Sequence, residues 1–563
     1  MSTPPPDPDP RPLTAVEHIK AGSDGLRGTL RASLAAPLTG ALAPDDTHLL
    51  KFHGSYQQDD RDLREERRQQ KLEPDYQFMI RTRLPGGVCT PAQWLALDEL
   101  AGRFGNGTLR LTTRQAFQLH GVIKGDLQPT LAAINAALLD TIAACGDVNR
   151  NVMCNPDPAA TALHAQVFPW AVRLSEHLLP RTRAYHEIWL GEERVAGGEP
   201  EPEPIYGRSF LPRKFKTAFA VPPSNDVDVL AHDLGFIAIA DGDRLLGFDV
   251  SVGGGMGATH GDPTTYPRVA DVIGFCTPEQ LLAVAEQVVL IQRDHGDRRE
   301  RKHARLKYTI AHRGLAWFTD ELTRRLGWAL APARPYAFDH SGDRFGWARG
   351  ADDRWRVTLH LDSGRVTDPP WPGVGPRLRT GLRELARIHR GELRLTPNQN
   401  LIVTGITDDA RPAIEAVLAA HGLDGFRARR PARLHALACV ALPTCGLAMA
   451  EAERALPAFA DRLDDLLVAH GLAGQRLHLR ITGCPNGCAR PYLAEVALIG
   501  KGPGRYNLML GGDQAGTRLA HLVRDNADEP TILALLDGLL GQYAAGRTAN
   551  EAFGDYVVRT GAA

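Results

Sequence analysis

In LRLTTRQAFQLHG, residues 109 to 121, apolar and polar side chains alternate as in a half-buried strand, and the pattern returns in LRLTPNQNLIVTG at residues 393 to 405. An amphipathic helical stretch precedes each copy, PAQWLALDELAGRF before the first and PRLRTGLRELARIHRG before the second. The chain therefore predicts duplicated helix-strand units packed about a pseudo-twofold axis, with a shared site where equivalent strand ends converge. Between the copies lie a Pro- and Glu-rich loop, GEERVAGGEPEPEPIYG, strand-like KFKTAFAV and GFIAIA, a glycine cluster, and a helix near PEQLLAVAEQVVLIQRDHG. Beyond residue 416, cysteine motifs alternate with helical AMAEAERALPAFADRLDDLLVAHG and EPTILALLDGLLGQYAAG. The expected class is α/β (α+β). Its parts are an extended N-terminal segment (1–60) that could dock a partner, a first repeat half (61–146), an α/β domain (147–334), a second repeat half (335–415) and a cysteine-bearing α/β domain (416–563).

The length of 563 residues is too great for one core and suits about three or four domains. Lys and Arg number 65 against 66 Asp and Glu, so nothing global points to nucleic acid or a membrane surface, and any anion site must be built locally. MSTPPPDPDPRPLT has neither an apolar core nor a twin-arginine start, and no later stretch has the apolar length of a membrane span. Eight cysteines are too sparse for a disulfide scaffold, and clustered thiols belong to a reducing compartment, so the expected location is the cytoplasm.

Four of those cysteines, Cys439, Cys445, Cys484 and Cys488, form C-x5-C and C-x3-C pairs among Pro and Gly. Four thiolates are the ligand set of a 4Fe-4S cluster, whose soft iron favours sulfur. A structural zinc site is the plain alternative, but zinc usually takes C-x2-C knuckles in compact loops. Asn486 and Gly487 suit the tight turn between the last pair. Cys89, Cys145, Cys154 and Cys276 are scattered singly and read as small buried hydrophobes.

Basic residues gather in short segments: FMIRTRLPGG with Arg81 and Arg83, LTTRQAFQLHG with Arg114 and Gln118, DVNRNVMC with Asn149 and Arg150, and LPRKFKT with Arg213, Lys214 and Lys216. In an extended KFK segment Lys214 and Lys216 share a face while Phe215 points away. Two like charges held together call for an anion. A single Arg or Lys is ordinarily a solvated surface charge; the set is harder to explain that way. VGGGMGATHGD follows a strand-like run, but a dinucleotide fingerprint needs a helix to begin at its glycines, and THGDPTTYPR follows instead. With no flavin or nicotinamide domain evident, electrons must come from another protein.

The wording ACVALPTCGLAMAEAE and TGCPNGCARPYLAEVALIGKGPGRYNLMLGGD resembles the cluster and sirohaem signature of the assimilatory sulfite and nitrite reductase haemoproteins. The likeness runs from LKFHGSYQQDDRDLREERRQQKLEPDYQFMIRTRLPGG through LPRTRAYHEIWL and LPRKFKT to FGDYVVR. FHGSYQQDDRD looks closer to the NADPH-linked branch than to the ferredoxin-dependent one.

The resemblance implies ferredoxin-like repeat halves and six-electron reduction of sulfite to sulfide in sulfate assimilation and cysteine biosynthesis. It implies sirohaem and a 4Fe-4S cluster as cofactors, Cys488 bridging the two, and an NADPH-dependent flavoprotein as electron donor. It further implies that Arg81, Arg150, Lys214 and Lys216 surround the sulfite, and that Thr112, Arg114, Gln118 and Arg213 hold sirohaem carboxylates. Asn486, with Gly487, would approach the cluster and haem, and Arg83 is the less expected of its pair. A ferredoxin-dependent sulfite or nitrite reductase on the same scaffold, and a haem-free 4Fe-4S electron carrier, are the competing functions. The basic segments disfavour the carrier, which has no use for a dianion pocket.

Overall fold

Alternation in the two repeat copies is realised as two five-stranded sheets that exchange an edge. The computed structural model describes residues 10–181, 188–190, 193–196, 203–369 and 377–562. The first nine residues and parts of LPRTRAYHEIWL and of the Pro- and Glu-rich loop lie outside them. The first sheet runs β1 (Ser55–Asp59), β2 (Tyr76–Arg81), β5 (Phe117–Val122), β4 (Leu109–Leu111) and β14 (Arg365–Val366). The second runs β12 (Gly346–Arg349), β13 (Trp355–Leu359), β16 (Leu401–Ile406), β15 (Glu392–Leu395) and β3 (Val88–Cys89).

Each half thus lends its partner a two-residue strand: β14 pairs Arg365 with Arg110, and β3 pairs Cys89 with Leu393. The expected cut between 61–146 and 335–415 is therefore an interlock. Glycine makes the crossing possible. A Cβ on Gly87 (φ 78°) would stand 2.4 Å from Leu395 O, and one on the equivalent Gly364 (φ 70°) 2.2 Å from Leu111 O.

Helices Pro91–Arg103 and Leu378–Ile388 precede the two hairpins and pack together. Thr90 and Gln93 form a reciprocal cap on the first, and Arg379 Nε donates to Asp98 Oδ1 at 2.6 Å between them. Leu97, Leu382 and Leu385 are buried in the same core.

Residues 10–60, expected as an extended segment, instead hold helices Ala15–Ala21, Leu30–Ala35 and Pro44–Leu49, and then β1 against β2. Leu26, Leu49 and Phe52 join the main core. Their spacing is too irregular to show a period, which is why the sequence does not announce these short helices.

The intervening domain carries β6 (Ile188–Leu190) paired with β7 (Glu193–Ala196), then a sheet of β8 (Thr217–Ala220), β9 (Leu234–Asp241), β10 (Arg244–Val252) and β11 (Asp271–Cys276). Helix Leu281–His295 buries Val284, Val288 and Ile291 behind it. The last domain holds β17 (Leu437–Ala438), β18 (Leu479–Thr482), β19 (Val496–Gly502), β20 (Arg505–Leu510) and β21 (His521–Ala527) in that order. Helices Leu456–Ala469 and Glu529–Gly546 share its separate core. Buried Glu453 fastens this domain to the exchanged strands, accepting from Arg110 Nε at 2.7 Å and Arg365 Nε at 2.6 Å. Among the described residues no helix is long and apolar enough to cross a membrane.

Candidate functional site

The cysteine pairs, far apart in sequence, meet because β17 and β18 run parallel and end side by side. Cys439 follows β17, and its amide donates to Ile481 O at 3.2 Å; its Sγ receives the Gly483 amide at 3.3 Å. Cys445 sits on the next turn, and Cys484 and Cys488 on the turn between β18 and β19. Burial, then Cys488, pushes the Cys439, Cys445 and Cys484 thiols up, Cys484 to about 12. Thiols so reluctant to ionise need cationic metal to hold them as thiolates. Among the described residues no three His, Cys, Asp or Glu side chains close on a single ion. The donor set fits a polynuclear iron-sulfur cluster.

The basic segments converge beside this turn. Phe215 is buried in the core while Arg213, Lys214 and Lys216 are half-buried, as alternation along KFK requires. The Phe215 amide donates to Val148 O and the Arg150 amide to Phe215 O, stitching DVNRN to RKFK. Arg150 Nε caps Gly146 O at 2.9 Å. Arg114 reaches the carbonyls of Asn151 and, at 3.4 Å, Thr217, but its Nε and Nη1 are buried without a partner.

These cations depress one another. Burial first, then Arg150 and Arg490, lowers Arg114 to about 9; burial and Arg301 lower Arg213 to about 10; burial and Arg213 lower Lys214 to about 7. Lys216 falls well below the lysine range through burial, Arg305 and Lys214. Such a cradle is complete only with a polyanion in it. A macrocycle with eight carboxylates and an oxyanion substrate fit it, and the unpartnered Arg114 nitrogens mark where a carboxylate would be received.

Several of the expected residues also have partners within the protein. Gln118 is in register with Arg81 on the neighbouring strand, and with its amide oxygen turned inward it accepts from Arg81 Nε at 3.2 Å. It therefore orients an arginine. Thr112 Oγ1 accepts the Arg114 and Ala116 amides, each at 3.3 Å, and shapes the turn. Asn149 accepts from Thr217 Oγ1 at 2.9 Å. Arg83 donates to Ser175 Oγ at 3.2 Å and stands 3.7 Å from Asp140. Asn486 links the two groups of residues, donating through Nδ2 to Cys488 Sγ at 3.2 Å and accepting from Lys214 Nζ at 3.4 Å.

Several residues of the site escaped the sequence reading. Cys145, read as an inert hydrophobe, is buried but receives Arg81 Nη1 at 3.2 Å. Tyr56, on β1, lies 5.9 Å from the same guanidinium. No local signal marks either. Lys307 fixes the glycine loop, donating to Gly255 O at 3.1 Å, Gly257 O at 2.7 Å and Tyr266 O. The basic run RKHARLK around Arg305 and Lys307 was its only trace. No helix begins at those glycines, and Ala258 N donates to Pro485 O at 2.9 Å, pressing the loop against the cysteine turn.

Comparison with known proteins agrees with this geometry. The family described as nitrite and sulphite reductase 4Fe-4S domain matches residues 170–330, and the nitrite/sulfite reductase ferredoxin-like half domain matches residues 69–137 and 348–421. The four cysteines lie outside both matches. The chain is 68% identical over 552 residues to the sulfite reductase [NADPH] hemoprotein beta-component of Myxococcus xanthus, covering 98% of this chain and 97% of that one. It is 57% identical over 553 residues to the protein of the same name from Geobacillus kaustophilus, covering 98% and 96%. The solved structure of the Mycobacterium tuberculosis NirA protein superposes with a TM-score of 0.78 at 24% identity, covering 97% of this chain and 96% of that one, and shows the fold.

Proposed function

Since the chain belongs to the nitrite and sulphite reductase family, we propose that it reduces sulfite to sulfide at a sirohaem coupled to a 4Fe-4S cluster. Sulfur(IV) becomes sulfur(−II), so six electrons and the protons that carry three oxygens away as water must reach one small site. The cofactors, when bound, supply the electron relay and the metal to which sulfur is held. Cys439, Cys445, Cys484 and Cys488 would hold the cluster, with Cys488 shared by both centres. Arg114 and Arg213 would receive haem carboxylates.

The protein's own work is electrostatic and protonic. Arg81, oriented by Gln118, and Arg150, tied to Gly146, present fixed guanidinium donors to the oxyanion. Lys214, which burial and Arg213 hold below the ordinary lysine range, gives up a proton more readily than a solvated lysine, which is what repeated S–O cleavage demands of an acid. Asn486 fixes Lys214 beside the cysteine turn. The observation that carries this reading is the meeting of mutually depressed cations with a four-thiol turn.

The names of the relatives, at up to 68% identity, support an NADPH-dependent flavoprotein as donor, and the clustered thiols suit the cytoplasm. The test is turnover with reduced viologen on sulfite and, separately, nitrite, then with NADPH and the flavoprotein. Efficient sulfide formation is expected. A strong preference for nitrite would move the chain to the sister activity, and a colourless zinc protein would end the proposal.

A further inference from the structure

Arg490 follows Cys488 by two residues, takes left-handed backbone angles (φ 53°) and is 4% exposed. Its guanidinium divides between the two repeat copies. Nη1 donates to Thr113 O at 3.1 Å, and Nη2 donates to Pro397 O at 3.1 Å and Asn398 Oδ1 at 3.3 Å. Thr113 and Pro397 hold the same place in the turns LTTRQ and LTPNQ. One planar group therefore bonds equivalent carbonyls of both copies and lies close to their pseudo-twofold axis.

The other edge of the guanidinium is fixed as well. Nε bonds Asp228, a fully buried carboxylate that also takes Arg480 Nη1 at 2.7 Å. Arg480 Nη1 closes the loop by donating to Arg490 O at 2.9 Å. The first repeat copy reaches back: Thr113 Oγ1 donates to Cys488 O at 3.1 Å. The cysteine turn is thus tied through a side chain and a main-chain carbonyl to the turn that carries Arg114.

We propose that Arg490 is a positioning residue, with Thr113 as its auxiliary, that registers the Cys488 turn against both repeat copies so that this thiol meets the haem site at one fixed place. A rigid fork suits the task, because its donors reach two carbonyls and a carboxylate in one plane, whereas the ammonium of lysine is a point charge on a flexible stem. A left-handed non-glycine residue is strained and persists only where its surroundings demand it; here the demand is the triple attachment. Duplication explains the arrangement: a residue on the axis can align one turn to both halves at once, which no residue within either half can do. The inference rests on the reading that Cys488 joins the cluster to the haem.

The experiment compares wild type, Arg490→Lys and Thr113→Val as purified holoenzymes. It measures haem and iron content, magnetic coupling of haem iron to cluster by Mössbauer spectroscopy, and turnover with reduced viologen. In Arg490→Lys, with both groups retained, we expect a fraction of molecules to show uncoupled centres and turnover per haem to fall about tenfold, as for other outer-shell partners of metal ligands. Thr113→Val should shift the spectrum in the same direction by less. Arg490→Lys with full content and wild-type coupling and turnover would overturn the proposal. If Arg490→Lys fails to load its cofactors, Thr113→Val decides: partial uncoupling supports the proposal and an unchanged spectrum sinks it. A wild-type protein whose centres are absent or already uncoupled would instead remove the underlying reading of Cys488.

Discussion

The two repeat copies share a backbone and differ in what they leave unsatisfied. In each, a threonine opens the turn (Thr112, Thr396), a glutamine takes left-handed angles (Gln115, φ 52°; Gln399, φ 68°) and a glycine sits in the returning strand (Gly121, φ 79°; Gly405, φ 76°). The burial pattern along β5 and β16 is the same. Both glutamines also brace the edge exchange, Gln115 Nε2 donating to Leu395 O at 3.0 Å and Gln399 Nε2 to Ser363 O at 2.9 Å.

The side chains the turn does not need tell the copies apart. Arg114, Gln118 and His120 stand where the second copy has Asn398, Ile402 and Thr404. The second turn is closed by Asp343, which accepts from Thr396 Oγ1 at 2.6 Å, Asn398 Nδ2 at 3.0 Å and Asn400 Nδ2 at 2.7 Å, and by Arg490, and among its side chains only Gln399 Oε1 is buried without a partner. The first leaves Arg114 Nε and Nη1 and both His120 nitrogens buried without partners. A satisfied polar network is structure; an unsatisfied one is a receptor for something else. We read the second copy as a brace and the first as the binding face.

Breaking the binding face should have the largest effect. Replacing Lys214 and Lys216 together with methionine removes the protonating pair, and viologen-linked sulfide formation should fall on the order of a hundredfold or more, with cluster iron retained. Writing the second copy into the first with Gln118→Ile deprives Arg81 of its acceptor; the KM for sulfite should rise about tenfold at unchanged haem content.

A smaller effect follows from pH. Burial and Arg213 hold Lys214 below the ordinary lysine range, haem carboxylates beside it would raise it part of the way back, and a bound anion favours its protonated form, so sulfite binding takes up a proton above the pKa that results. Affinity should therefore fall as pH rises through that pKa, below the ordinary lysine value, by up to about tenfold per unit if this proton alone is linked. Lys214→Met should flatten that limb in an optical titration. On the brace side, Asn400→Ala removes a donor to Asp343 and the acceptor of the Leu361 amide and should cost about 1 to 3 kcal/mol in denaturant unfolding, leaving sulfite affinity per folded molecule unchanged.

Much of this contrast was legible in the sequence because it is local. Alternation gave the hairpins and put Lys214 and Lys216 on one face with Phe215 in the core. The cysteine pairs announced themselves by spacing, wording and their Pro and Gly neighbours. What escaped is non-local. The exchanged strands are two residues each, too short for any period, and depend on Gly87 and Gly364 passing under a partner's carbonyl. The helices of residues 15–49 carry too few apolar positions to show a face. That Gln118 is also the acceptor for Arg81 is set by its strand register with β2, and Cys145 meets Arg81 only once β2 and the segment of residues 137–150 are packed together.

The most direct test of the central claim is the visible absorption of two purified variants, Arg114→Asn and Asn400→Ala, normalised to cluster iron. If only the first copy is a receptor, haem bands are lost from Arg114→Asn and retained in Asn400→Ala. Equal haem in both, or loss confined to the second, would contradict the division of labour between the copies.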